Sequence, residues 1–64
     1  MPDIQPGEVL FEFKRIGAYV KVMALHPASL TEVSITGDAK ATQAYLQMLA
    51  LNKLKLKLKS SQKE

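Results

Sequence analysis

From residue 8 onward the chain alternates apolar and polar side chains. Val9, Phe11 and Phe13 fall on one side, Glu8, Glu12 and Lys14 on the other, and Leu10 interrupts the polar side. A period of two over residues 8–15 predicts a strand with one buried and one wet face. Arg15-Ile16-Gly17-Ala18 reads as a tight turn, because Gly17 can take the positive φ that hairpin turns need. A second alternating run over 18–25 turns Val20, Val22 and Ala24 inward and Tyr19, Lys21 and Met23 outward, since the charge belongs on the wet face. His26-Pro27-Ala28-Ser29 stops that strand: proline donates no ladder hydrogen bond and biases the residue before it away from helix. A third run over 30–36 points Val33 and Ile35 inward and is expected to end at Gly37.

Residues 39–58 alone are long enough for a helix of several turns. Asp38 is the expected N-cap, its carboxylate taking free backbone amides and favouring the positive end of the helix dipole. Thr42 is a second candidate. At helical period two apolar rows emerge: Ala41, Ala44, Tyr45, Met48, Leu49 and Leu56 on one broad face, and Leu46, Ala50, Leu54 and Leu58 at i, i+4 spacing. From Lys53 to Lys59 lysine alternates with leucine. As a strand this run would separate the two residue types; as a helix it scatters the lysines. Lysines suit a helix C-terminus and no breaker follows Gly37, so a helix ending near Leu56 is expected.

These elements predict an α+β fold, a three-stranded antiparallel meander covered by one C-terminal helix. The short connections decide against parallel strands, which need crossovers of a dozen residues or more. Residues 1–7, with Pro2, Pro6 and Gly7, are expected to be a flexible N-terminal arm, residues 8–58 a single domain and residues 59–64 a disordered basic tail.

A chain of 64 residues buries only about 60% of its unfolded surface and is short of core. Domains of this size usually need a disulfide, a metal or a partner subunit. With no cysteine there is no disulfide and no thiolate zinc site, and the single histidine, His26, cannot form a metal site alone. No cofactor is implied. Self-association, as a dimer, is the staple that remains. Met1-Pro2-Asp3-Ile4-Gln5-Pro6-Gly7 has neither a basic start nor an apolar run, so no signal peptide is expected. No membrane-spanning stretch occurs either, and the expected location is the cytoplasm.

The net charge of +3 is unevenly spread. Residues 1–38 set Lys14, Arg15 and Lys21 against five acidic residues, for −2; residues 39–64 set six lysines against Glu64, for +5. The basic character belongs to the helix and tail.

Catalytic constellations are thin. His26 and Ser29, three residues apart, suggest a base and a nucleophile, but they read more simply as a turn residue beside a small hydroxyl. Glu8 and Glu12 share a solvated strand face with no cleft to raise a carboxyl pKa for acid–base work. Gly7, Gly17 and Gly37 are isolated rather than a phosphate-cradling loop. The chain is expected to be non-enzymatic, with no small-molecule substrate.

Two surfaces remain as binding candidates. The apolar one joins Leu46, Ala50 and Leu54 with the outer-strand residues Tyr19, Met23 and Leu25, because a sheet face covers one helix row well and leaves the other for a second subunit or another protein. The basic one, the alternative, comprises Lys53, Lys55, Lys57 and Lys59, extended by Lys14, Arg15 and Lys21, and would neutralise nucleic-acid phosphates. Tyr19 and Tyr45 would supply little base stacking.

The order Phe11-Glu12-Phe13-Lys14-Arg15-Ile16-Gly17-Ala18-Tyr19-Val20-Lys21-Val22, then Glu32-Val33, Gly37 and Leu49-Ala50-Leu51-Asn52-Lys53-Leu54, resembles a family of short bacterial proteins with a β-β-β-α pattern and no assigned activity. The resemblance runs from the first strand through the helix and implies a complete small protein. It brings no catalytic or ligand position, and the lysine–leucine alternation after Leu54 departs from that group.

Overall fold

The computed structural model describes residues 5–61, apart from the side chains of Pro6 and Ser61. Pro6–Glu8 form a single 3-10 turn. Glu8 N donates to Gln5 O at 2.9 Å, and Gln5 N donates to Glu8 Oε1 at 3.0 Å. This stretch of the expected flexible arm is therefore turned, and it delivers Val9 into the core. The rest of the arm, residues 1–4, and the tail residues 62–64 lie outside the described residues.

Three strands follow, β1 (Leu10–Ile16), β2 (Tyr19–His26) and β3 (Thr31–Asp38), then one helix, α1 (Gln43–Ser61). The strands form an antiparallel sheet in the order β1-β2-β3, which is the α+β meander-and-helix fold predicted by the alternation. Gly17 and Ala18 make the first turn, with Gly17 at φ 62° and Ala18 outside the positive region. Glycine at the first central position gives a type II′ turn, whose twist matches that of the strands. Pro27 to Leu30 make the second, with Ser29 N on His26 O and Leu30 N on Pro27 O, both at 3.2 Å. Leu30 sits there in the left-handed region, at φ 55°.

Three local features depart from the sequence expectations. Strand β3 runs through Gly37, which pairs with Val20, and ends at Asp38. Gly37 marks a close approach rather than a strand end: a Cβ there would collide with Leu46 Cδ2. The helix is capped by Thr42, whose Oγ1 accepts from Tyr45 N at 3.1 Å; Asp38 Oδ1 instead accepts from Lys40 N at 2.8 Å and tightens the linker. The helix also continues to Ser61, past the expected end at Leu56 and into the expected disordered tail.

The reason for the longer helix lies in its last turns. As a helix the lysine–leucine run buries Leu54 and Leu58 together and leaves Leu56 outside, while Lys53 and Lys57 reach β3. As a strand it would gain none of these contacts. Because the linker is short, α1 runs back over the strand it follows. The eleven steps from Leu46 to Lys57 rise about 16 Å as helix, as do the five from Gly37 back to Glu32 as strand, so Leu46 meets Gly37 and Lys57 meets Glu32.

The core joins Val9, Val22, Ala24 and Val33 to Leu46, Ala50, Leu51, Leu54 and Leu58. Here the sequence expectation is corrected. Leu46, Ala50 and Leu54, taken as a half-exposed interface row, are 2%, 0% and 0% exposed. The sheet selected this row because Ala50 lets the helix approach closely and the leucines fill the flanks. The row left outside contains Tyr45, Met48 and Leu56.

Candidate interaction surface

The helix packs on β3 and β2. Phe11 and Phe13 of β1, which point to the helix side of the sheet, are only half-buried in consequence. Sequence reasoning placed both in the core and missed this gap. Beside them an open groove is lined by Phe13, Arg15, Val20, Ala41, Gln43 and Leu46.

The two sheet edges are treated differently. On β3, Lys53 Nζ donates to Ser34 O at 2.8 Å and Lys57 Nζ to Glu32 O at 3.0 Å. Residues two apart on a strand present their carbonyls to the same edge, so the two ammonium groups cap the acceptors that another strand would need. Lysine on an edge is a common guard against further pairing. β1 is the other edge, and α1 sends it no such donor among the hydrogen bonds of the described residues.

No element among the described residues covers the outer sheet face. It carries Leu10, Ile16 and Tyr19, all exposed, with Met23 and Leu25 half-buried. Leu10 stands opposite Leu25 and Glu12 opposite Met23. These four line an open groove together with Phe11 and Glu32. Of the six residues expected at a protein interface, then, Tyr19, Met23 and Leu25 lie on this outer face, whereas Leu46, Ala50 and Leu54 lie in the core.

The expected basic cluster is divided. Lys53 and Lys57 spend their ammonium groups on β3, Lys55 is half-buried, and Lys59 is exposed one turn further on. Lys14 and Lys21 face one another across β1 and β2 on the outer face. Arg15 is tied to the first turn, its Nε donating to Gly17 O at 3.1 Å.

His26 and Ser29 do meet, with Nδ1 and Oγ 2.8 Å apart. Ser29 Oγ also lies within reach of two acceptors in the same turn, Thr31 Oγ1 at 2.9 Å and His26 O at 3.5 Å, and Thr31 Oγ1 donates to Ser29 O at 3.4 Å. A hydroxyl has one proton to give, so these acceptors compete with the imidazole for it. The trio clamps the second turn. Among the described residues no three His, Cys, Asp or Glu side chains are grouped to hold a metal ion, and no helix is long and apolar enough to cross a membrane.

Fold and surface together define a small α+β protein, an open three-stranded antiparallel sheet with one helix across it. A family model for a domain of unknown function (DUF6898) matches residues 6–62. The chain belongs to that family, in keeping with its resemblance to a group without assigned activity. It matches no curated protein and no solved structure.

Proposed function

We propose that the chain is a small, non-enzymatic protein-interaction module that self-associates as a dimer. The observation that carries this reading is the contrast between the edges. β3 is capped by Lys53 and Lys57, whereas β1 has no such cap among the described residues and its Phe11 and Phe13 are half-covered. A second copy would cover apolar area that the 64-residue chain cannot bury alone. Sedimentation equilibrium of the full chain from 1 to about 100 µM tests it; the expected result is reversible dimerisation, and a folded monomer throughout that range would end it.

A second reading, a nucleic-acid accessory protein, draws on the facing pair Lys14 and Lys21 and on the exposed Lys59. It has less support, since Lys53 and Lys57 are engaged within the chain. Phosphate binding would weaken steeply with salt. No binding of mixed RNA and DNA at low salt would exclude it.

A further inference from the structure

The order of charges along β1 fits a particular partner geometry. Ile16 and Tyr19 flank a two-residue turn, and in such a hairpin they exchange both backbone hydrogen bonds. Stepping by two, Lys14, Glu12 and Leu10 bond to β2 as well. Arg15, Phe13 and Phe11 then turn their N–H and C=O groups to the free edge. The lysine caps corroborate the same count from the far side of the sheet, because Glu32 and Ser34 present outward carbonyls there.

We infer that the occupant of this edge is β1 of a second copy, paired antiparallel about a twofold axis at Phe13. This deepens, and rests on, the self-association reading above. In that register Phe13 faces the partner's Phe13, and the outward groups of Phe11, Phe13 and Arg15 all find mates. Glu12 faces the partner's Lys14, and Lys14 the partner's Glu12. Leu10 faces the partner's Ile16, so on the outer face apolar meets apolar and each charge meets its opposite. On the helix side Phe11 faces the partner's Arg15, whose guanidinium can lie against the ring. The two sheets become one of six strands.

Neighbouring registers are worse. Moving the axis to residue 12 sets Glu12 against the partner's Glu12; moving it to residue 14 sets Lys14 against the partner's Lys14. Like charges directly opposite one another are destabilising. An axis falling between residues pairs outward groups with inward ones and turns apolar side chains to the wrong face. The Phe13 register is the one in which hydrogen-bond parity, charge and apolar pattern agree.

Charge reversal tests the register. Glu12→Lys places a lysine opposite the partner's Lys14 twice per dimer and should raise the dissociation constant roughly tenfold. Glu12→Lys combined with Lys14→Glu should restore it to within about twofold. Because the native chain has no cysteine, a second measurement is independent of charge: mixed Glu12→Cys and Lys14→Cys chains should form the heterodisulfide faster than either variant alone couples to itself. A dimer indifferent to the single reversal, or weakened by it and not rescued by the double, or homodisulfides forming as fast, would overturn this register and leave self-association standing. A monomeric wild type would overturn both.

Discussion

The side chain of Leu46 fills the space that a Cβ on Gly37 would occupy. One residue belongs to the first turn of the helix and the other to the next-to-last pair of the β2–β3 ladder. Their contact fixes where along the sheet the helix begins, and the lysine contacts at residues 53 and 57 follow from that starting point.

Gly37→Ala should therefore destabilise the chain by about 1–3 kcal/mol through overpacking, although alanine would ordinarily gain about 0.4–1 kcal/mol by restricting the unfolded chain. Urea unfolding of Gly37→Ala, Leu46→Ala and the double variant checks it. Coupling is expected, with the double variant less destabilised than the two single effects combined. Strict additivity would mean that the two residues do not meet.

Helix phase is tested by paired truncations. Leu54→Ala removes a fully buried side chain and should lower unfolding free energy by about 2–5 kcal/mol. Leu56→Ala, at a position 67% exposed, should change it by less than about 0.5 kcal/mol. Equal effects would fit the strand form of the lysine–leucine run instead.

The cap assignment predicts an asymmetry between two residues. Thr42→Ala should lower stability by about 1 kcal/mol, because Oγ1 no longer takes Tyr45 N. Asp38→Ala loses a linker contact to Lys40 N and should have the smaller effect. Thermal melts of the two variants, read side by side, decide it; a larger loss at Asp38 would return the cap to that residue.

Removing the guards on β3 should be visible as assembly. Replacing Lys53 and Lys57 with methionine keeps the length of each side chain but frees Ser34 O and Glu32 O. Light scattering is expected to rise with concentration well above that of the wild type, with helix content by circular dichroism retained. Scattering equal to the wild type would show that the ammonium groups do not protect the edge.

The strands were legible because alternation is a local signal: Phe11 and Phe13, Val20 to Ala24, and Val33 with Ile35 each declare a face. The phase of the helix was not. Tyr45, Met48, Leu49 and Leu56 make as apolar a row as Leu46, Ala50, Leu54 and Leu58, so periodicity alone could not choose between them. Two cues were present in the sequence. Ala50 allows close packing in the middle of the leucine row, and Gly37 offers a flat site opposite it. The caps on β3 had no comparable cue, since the acceptors are backbone carbonyls and the lysines lie 19 and 25 positions away. The half-covered phenylalanines were hidden for a related reason: one helix spans about two strands in width, and only the linker decides which two.

An extended ribbon with two adhesive rims recruits copies indefinitely, in the manner of a fibre. Here the ammonium groups of Lys53 and Lys57 shut one rim. Joining through β1 would consume the other, so growth halts after a single union and the product is a finite particle instead of a filament.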